Sequence, residues 1–150
     1  MPNIAINKKA KYDYEILEKY EAGLVLSGPE VKSLRINTGS IKESYIIEKG
    51  GELWLSNCHI KQYSSSHEEN YNPTRNRKIL VKHKEMVKMI GLSKREGMTL
   101  IPLVMYFNHK GFAKISIGIG RGKRKYDKRA AIKEKEWNIK KQRIEKNKRL

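Results

Sequence analysis

Residues 113–120 read Ala-Lys-Ile-Ser-Ile-Gly-Ile-Gly, which is the most regular hydrophobic alternation in the chain. Successive side chains of a strand point to opposite faces, so the three isoleucines predict a strand with one buried face. Lys114 and Ser116 fall on the opposite, exposed face. A cation at Lys114 suits an RNA-binding surface, although strands also carry lysines for solubility alone.

Five further strand patterns precede this segment, and glycine-containing turns separate several of them. These patterns lie at residues 12–16, 22–26, 45–47, 53–60 and 98–107. Gly50-Gly51 favours a hairpin between the third and fourth patterns. Pro102 cannot donate to a hydrogen-bond ladder, so the last pattern predicts an edge strand or a bulge. Short strands with interspersed short helices predict a small, mainly β barrel that is either closed or half-open.

Two segments carry helix signals. Ser27 and Glu30 form a capping-box pattern, which starts a short helix. Lys32 and Arg35 lie on one side of this helix, where they either clamp a phosphate or serve as ordinary surface charge. Its apolar side is formed by Val31 and Leu34. Residues 84–90 predict a second helix. Its apolar side is formed by Met86, Val87 and Ile90, with Gly91 as its C-terminal stop.

Positive charge is unevenly distributed along the 150 residues. The net charge is +17, and residues 121–150 contribute +10 of it, from 14 Lys and Arg against 4 Asp and Glu. Such an excess attracts polyanions, namely RNA, DNA or an anionic membrane surface. The sequence therefore predicts a barrel domain at residues 1–120 and a basic tail at residues 121–150.

The basic tail combines cations with aromatic residues. Its first nine residues include six cations. These are Arg121, Lys123, Arg124, Lys125, Lys128 and Arg129. Tyr126 and Trp137 lie nearby, and an exposed aromatic ring can stack on an unpaired base, which favours RNA binding. A solvated basic extension and a membrane-surface helix are the alternatives. Because the tail cannot neutralise its own charge, we predict that it is disordered when free and helical on an anion.

A second basic segment lies within the polar loop at residues 64–78, which has no hydrophobic period. Arg75, Arg77 and Lys78 place three cations in four positions. These cations either bind phosphate or belong to an ordinary exposed turn.

Other classes of protein fit the sequence less well. The longest apolar run, residues 98–107, is shorter than the roughly 20 residues that span a bilayer. The N-terminus lacks a signal-peptide pattern, and Cys58 has no disulfide partner within the chain, which together favour the cytosol. The four histidines show no metal-ligand spacing. We therefore predict no metal, no cofactor and no catalytic residue, with a nuclease using His67 or His83 as the alternative.

Six short segments, taken in order, carry a family resemblance. They are Asn7-Lys8-Lys9-Ala10, Tyr20-Glu21-Ala22-Gly23-Leu24, Glu30-Val31-Lys32-Ser33-Leu34-Arg35, Pro73-Thr74-Arg75-Asn76-Arg77-Lys78-Ile79-Leu80, Gly122-Lys123-Arg124-Lys125-Tyr126-Asp127-Lys128-Arg129 and Glu134-Lys135-Glu136-Trp137. Together they span nearly the whole chain, which resembles the SmpB family, the bacterial partners of transfer-messenger RNA. The resemblance implies an antiparallel, OB-like barrel with short flanking helices and an unstructured tail.

The same resemblance implies a function in trans-translation. The chain, as a cytoplasmic monomer, would bind the tRNA-like domain of transfer-messenger RNA and support its alanylation and its delivery by elongation factor Tu. It would then escort the RNA to a ribosome stalled without a stop codon. A structural ribosomal protein, which often combines a basic barrel with a basic tail, is the alternative.

Individual site residues also follow from the resemblance. The positions that match contacts to the tRNA-like domain are Asn7, Glu21, Leu80 and Lys114. Additional phosphate contacts are implied for Lys32, Arg35, Arg75, Arg77 and Lys78. The tail would enter the vacant decoding centre and mRNA channel of the ribosome. Its matching positions are Lys123, Arg124, Lys125, Tyr126, Asp127, Lys128, Arg129, Trp137 and Ile144. Asn72 and Tyr126 depart from the family's more usual Asp and His, and Tyr126 lacks a protonatable ring.

Overall fold

The computed structural model describes residues 3–36, 39–66, 68–95, 97–123 and residue 139. Within these ranges the chain forms seven strands and three helices. The strands are β1 (Asn3–Ile6), β2 (Tyr14–Leu24), β3 (Tyr45–Lys49), β4 (Glu52–Ser56), β5 (Arg77–Leu80), β6 (Met98–Phe107) and β7 (Ala113–Gly122). The helices are α1 (Ala10–Asp13), α2 (Gly28–Ile36) and α3 (His83–Ser93).

All seven strands belong to one sheet with the order β1-β6-β7-β2-β5-β4-β3, and every ladder is antiparallel. The sheet curls so that β3 comes into contact with β6. Within the described ranges no ladder joins the end strands β1 and β3, so the barrel is half-open. The predicted mainly β, antiparallel, OB-like fold is confirmed.

The isoleucine face of β7 fills the centre of the barrel. Ile115, Ile117 and Ile119 are each 0% exposed, which confirms the alternation predicted from the sequence. Burying one such side chain stabilises a fold by about 1.5–3 kcal/mol, so this face is a major contribution to the core. Its partners from other elements include Leu53, Leu55, Ile79, Met89 and Met105.

Strand β2 is one continuous strand, whereas the sequence predicted two separate strands at residues 12–16 and 22–26. A register shift between Ile16 and Glu18 inserts an extra residue into its pairing with β7. A bulge of this kind reverses the alternation of side chains, which hides the continuity of the strand. Gly120 of β7 lies against this region, and a Cβ atom there would be only 2.2 Å from the carbonyl oxygen of Glu15.

Strand β6 lies between β1 and β7, so the edge position considered for Pro102 is wrong and the bulge is confirmed. The register of β6 against β7 shifts between Pro102 and Val104. The edge is taken by β1, a four-residue strand that the sequence analysis did not identify. Its neighbour Asn7 donates from its side-chain Nδ2 to the carbonyl oxygen of Pro102 at 3.0 Å, which ties the chain to the bulge.

Helix α2 begins with the predicted capping box. The backbone amide of Ser27 donates to Glu30 Oε1 at 2.9 Å, and the amide of Glu30 donates to Ser27 Oγ at 3.3 Å. Its buried residues are Glu30, Ser33 and Leu34. Val31, predicted on the apolar side, is half-buried.

Helix α3 departs from its prediction in two respects. It continues through Gly91 to Ser93, so the predicted stop at Gly91 is wrong. Met89 is 0% exposed, whereas Val87, predicted to face the core, is 56% exposed. The helix therefore packs along Met86, Met89 and Ile90, which lie on one face at helical spacing.

Strand β7 runs two residues past the predicted domain boundary at residue 120. After it, the amide of Lys123 donates to the carbonyl oxygen of Asp13 at 2.8 Å, which fixes the start of the tail beside α1. In the described part of the chain, none of the helices has the length and apolar character needed to cross a bilayer.

Candidate nucleic-acid interface

Strands β2, β6 and β7 turn one side away from the core, and we call this side the outer face. Residues paired directly across antiparallel strands point to the same side of a sheet. Since Ile115 and Ile117 point into the core, the residues on either side of them point outward. The outer face consists of Lys19, Glu21, Val104, Tyr106, Lys114 and Ser116.

Leu80 and Lys114 meet over Gly23. Gly23 is paired with Leu80 on β5 and with Lys114 on β7. A Cβ atom at Gly23 would lie 3.5 Å from the Cβ of Leu80 and 3.8 Å from the Nζ of Lys114. Leu80 is 51% exposed although it is apolar. Because Gly23 has no side chain, the exposed side chain of Leu80 and the ammonium group of Lys114 lie close together beside the outer face.

Asn7 reaches the outer face through a groove of about 510 Å³ beside α1. Three outer-face residues form part of the groove wall. They are Lys19, Val104 and Ser116. The same three line a second groove of about 510 Å³ that also contains Glu21 and Tyr106. The two grooves are therefore continuous, and Asn7, Glu21, Leu80 and Lys114, predicted as one site, lie along a single surface.

Glu21 is a carboxylate in an otherwise cationic setting. Burial, a hydrogen bond with Glu21 and the charge of that carboxylate raise the pKa of Tyr106 to about 12. A phenol is protonated at neutral pH in any case, so Tyr106 can donate a hydrogen bond to this carboxylate. Lys8, Lys11 and Lys19 line the adjoining groove, so the surface offers both phosphate-binding cations and groups that can pair with base edges.

The two predicted cations of α2 lie next to aromatic rings. Lys32 Nζ lies 5.9 Å from the ring centroid of Tyr63, and the Arg35 guanidinium carbon lies 5.7 Å from that of Phe107. Both side chains are exposed. Stacking on a ring holds a cation in place without neutralising it, so both remain available to an anion.

Arg75 and Lys78 are each engaged in an ion pair and only partly exposed. Lys78 Nζ lies 2.9 Å from Glu52 Oε1, with 39% of the lysine side chain exposed. Arg75 pairs with Glu30, and 38% of its side chain is exposed. A phosphate at either position would have to compete with a carboxylate, which makes both weaker phosphate sites than the lysines that line the groove.

Arg77 corrects the prediction of a phosphate contact. Its side chain is 0% exposed, and it donates to Glu30 Oε2 at 2.7 Å and to the carbonyl oxygen of Cys58 at 2.5 Å. It also donates to the carbonyl oxygen of Pro73 at 3.0 Å. A guanidinium enclosed in this way cannot reach a phosphate, because contact would require breaking the interior of the fold. Arg77 is a structural residue.

The predicted tail residues fall mostly outside the described part of the chain. Lys123 is described and exposed, and its Nζ donates to the carbonyl oxygen of Lys11 at 3.2 Å. The predicted residues that lie outside the described ranges are Arg124, Lys125, Tyr126, Asp127, Lys128, Arg129, Trp137 and Ile144. The described start of the tail therefore leaves the domain beside Lys11 of α1.

Sequence reasoning missed Tyr106, Lys19 and the groove that connects them. Tyr106 lies on β6, whose continuous apolar run gave no indication of which residues point outward. The register against β7 supplies that information, because Tyr106 is paired with Lys114. In the part of the chain that the structure describes, no group of His, Cys, Asp or Glu side chains is arranged to hold a metal ion.

Comparison with known proteins gives a consistent result. The family model described as SmpB protein matches residues 4–147. An SsrA-binding protein of Wolbachia pipientis subsp. Culex pipiens (strain wPip) is 49% identical over 147 residues, which cover 98% of this chain and 99% of the relative. An SsrA-binding protein of Ehrlichia ruminantium (strain Gardel) is 48% identical over 144 residues, covering 96% of this chain and 97% of the relative.

A solved structure described as "tmRNA-SmpB: a journey to the center of the bacterial ribosome" contains a chain of the same fold. The two chains superpose with a TM-score of 0.67 at 42% sequence identity, over 85% of this chain and 92% of the other. Because the family model spans nearly every residue and the relatives are matched along almost their full length, this chain belongs to the SmpB family.

Proposed function

We propose that this chain binds the tRNA-like domain of transfer-messenger RNA through its outer face and carries the RNA to stalled ribosomes for trans-translation. The observation that carries the assignment is the convergence of Glu21, Leu80 and Lys114 on one surface that continues through a groove to Asn7. Membership of the SmpB family and the likeness to a chain from a tmRNA-SmpB ribosome structure support it.

The chemistry of the outer face suits a folded RNA. Lysines around the groove bind phosphates, which provides affinity without sequence preference. Glu21, in contrast, repels phosphate and can accept hydrogen bonds from the N–H groups of bases, which adds selectivity. We therefore infer that the barrel acts by binding and positioning RNA, without chemistry of its own. The complex would be taken up by elongation factor Tu once the RNA is alanylated, with the protein as a monomer in the cytoplasm, where ribosomes work.

The tail at residues 121–150 is proposed to serve the ribosome. Its net charge of +10 suits a channel lined with RNA phosphates. We infer that it occupies the decoding centre and mRNA channel when no mRNA fills them, which would make it a sensor of an empty channel. Protection of the tail from proteolysis on stalled ribosomes tests this role. Equal protection on ribosomes whose channel is filled with mRNA would contradict it.

A binding experiment separates the two parts of the proposal. The tRNA-like domain and an ordinary tRNA are compared by gel shift at moderate salt, for the full chain and for a chain truncated after Lys123. Truncation there spares the last pairs of β7 and the hydrogen bond from Lys123 to Asp13. We expect both proteins to prefer the tRNA-like domain.

Lys114→Gln is the test variant and Lys49→Gln its control, because each removes one lysine charge and only Lys114 lies on the outer face, where it is half-buried, whereas Lys49 is exposed. Lys114→Gln should weaken binding, and Lys49→Gln should not. Equal binding of both RNAs, with loss on truncation, would instead favour a structural ribosomal protein that binds through charge alone.

A further inference from the structure

An exposed aromatic ring extends the outer face beyond the residues considered so far. Phe112 is 64% exposed and directly precedes β7. Ala113 and Ile115 are buried in the core, so alternation places Phe112 on the same side as Lys114. A single exposed apolar side chain needs no partner by itself, but an exposed aromatic ring beside a cationic surface is the arrangement that stacks on nucleic-acid bases.

The turn that carries Phe112 is held by a network of hydrogen bonds. The side-chain Oδ1 of Asn108 accepts from the amide of Phe112 at 2.9 Å and from the amide of Lys110 at 3.0 Å. The amide of Asn108 donates to the carbonyl oxygen of Phe112 at 2.9 Å, which continues the ladder by one more pair. Gly111 completes the turn with a φ of +83°. The ring is therefore presented from a fixed backbone, which lowers the entropic cost of binding.

Cations lie in and beside the turn that carries this ring. Lys110 is exposed in the turn, and Lys114 follows Phe112 on the same side of β7. Arg35 approaches the turn from α2, where its Nη2 would lie 3.6 Å from a Cβ atom at Gly111. An apolar protein partner would gain little from these charges. An exposed aromatic ring among cations instead matches an unpaired nucleotide, whose base stacks while its phosphates meet the cations.

We propose that Phe112 is a stacking platform for an unpaired base of the RNA that the outer face binds. The inference rests on the proposed function, since the same RNA occupies both surfaces, but it assigns a separate contact. Lys114 would hold the phosphate next to the stacked nucleotide. This contact would connect the base on Phe112 to the RNA that is bound on the outer face. The platform would favour RNAs with a looped-out or terminal nucleotide at this distance from the groove over fully paired RNA.

Three substitutions at one position test the platform. Affinity for the isolated tRNA-like domain is measured as a function of salt for Phe112→Ala, Phe112→Leu and Phe112→Trp. We expect Ala to weaken binding about fivefold to a hundredfold, Leu to restore little of the loss, and Trp to retain or improve binding. Because no phosphate contact is removed, the slope of log K against log salt should stay unchanged in all three. Lys114→Gln should lower that slope by about 0.7–0.9.

The outcomes separate failure of the platform from failure of the proposed function. If Lys114→Gln weakens binding while Phe112→Ala binds normally, the outer face binds the RNA and the platform is refuted. If Phe112→Leu binds as well as the wild type, the contact is apolar and not stacking, which also refutes it. If the wild type shows no preference for the tRNA-like domain, the proposed function is refuted, whatever the variants at Phe112 show. Thermal unfolding of each variant checks that the exposed substitution leaves the fold intact.

Discussion

Glu30 and Arg77 form an ion pair in which both side chains are fully shielded from solvent, with Arg77 Nη2 2.7 Å from Glu30 Oε2. The same carboxylate accepts the amide of Ser27 at 2.9 Å and the Nε of Arg75 at 3.1 Å. One side chain therefore ties the first turn of α2 to the start of β5 and to the loop before it. Its charge is satisfied by several donors, which is the condition under which a buried charge is tolerated.

Replacing Arg77 by Met should destabilise the fold strongly. The substitution leaves the buried Glu30 carboxylate without its main charge partner, and breaking a buried pair on one side costs about 3–5 kcal/mol. Arg77→Lys should recover only part of the loss, because an ammonium group cannot reproduce the geometry of the guanidinium. Urea unfolding monitored by circular dichroism measures the free energy of unfolding of both variants.

Arg75→Met is the matched comparison, since Arg75 contacts the same carboxylate but is 38% exposed. Arg75→Met should lower the free energy of unfolding clearly less than Arg77→Met does. Labelling of Cys58 gives an independent readout, because burial raises the pKa of its thiol to about 11 and the native protein should resist a thiol reagent. Equal destabilisation by the two arginine variants would show that burial does not decide the strength of this network.

Acidic pH should lower the stability of the fold by protonating Glu30. Burial on its own would raise the pKa of Glu30, but hydrogen bonds from Arg75, the Ser27 amide and Arg77, with the Arg77 charge, hold that pKa below its ordinary value. A carboxyl whose pKa is lower in the folded state stabilises the fold fully above its unfolded pKa of about 4.3 and loses that effect as the pH falls further. The free energy of unfolding should therefore decrease below that pH.

The variant Glu30→Gln tests the origin of this acid sensitivity. It should be less stable than the wild type at neutral pH and show a flatter pH dependence below about pH 4.3, because the titrating group is gone. Glu52→Gln removes an exposed carboxylate paired with Lys78 and should leave the acid slope nearly intact. An unchanged slope in Glu30→Gln would assign the acid sensitivity to other carboxyls.

The parts of the fold that were predicted correctly depend on interactions between neighbours in the sequence. The capping box joins Ser27 to Glu30 three residues later. The β3–β4 turn depends on Gly50 and Gly51, which have positive φ angles of 64° and 75°. The buried face of β7 follows from strict alternation. In each case the side chains that decide the structure lie within a few residues of one another.

What was missed depends on long-range contacts. Glu30 was predicted only as a helix cap, because its partner Arg77 lies 47 residues away. For the same reason, Arg77 was interpreted as a surface cation. The outer face could be predicted in part from the alternation of Lys114, whereas Tyr106 required the register between β6 and β7. The bulge in β2 also removes the period on which strand prediction depends.

Gly120 and Gly91 should respond oppositely to the same substitution. Gly120→Ala would place a Cβ atom 2.2 Å from the Glu15 carbonyl oxygen, so β2 and β7 would have to separate at the bulge and the protein should lose stability. Gly91 lies inside α3 with no atom within 4 Å of the added Cβ. Gly91→Ala should therefore stabilise the protein by about 0.5–1 kcal/mol. Thermal unfolding of the two variants compares them directly, and a loss of stability in both would contradict this account.

Alanine substitutions at Leu80 and Leu55 should affect different properties, namely RNA affinity at Leu80 and stability of the fold at Leu55. Leu80 is 51% exposed beside Lys114, whereas Leu55 is 0% exposed in the core. Leu80→Ala removes little buried area, so unfolding should change by less than about 0.5 kcal/mol. Affinity for the tRNA-like domain should fall, because the RNA loses an apolar contact at the centre of the proposed surface.

Leu55→Ala should instead lower the free energy of unfolding, by about 2–5 kcal/mol, because it leaves a cavity in the core. At a temperature where this variant stays folded, its affinity for the RNA should match that of the wild type, because Leu55 is buried in the core and does not reach the proposed RNA-binding surface. The pair of variants thus assigns the exposed leucine to recognition and the buried one to the core. If Leu80→Ala bound RNA with unchanged affinity, the proposed surface would have to end before β5 and exclude Leu80.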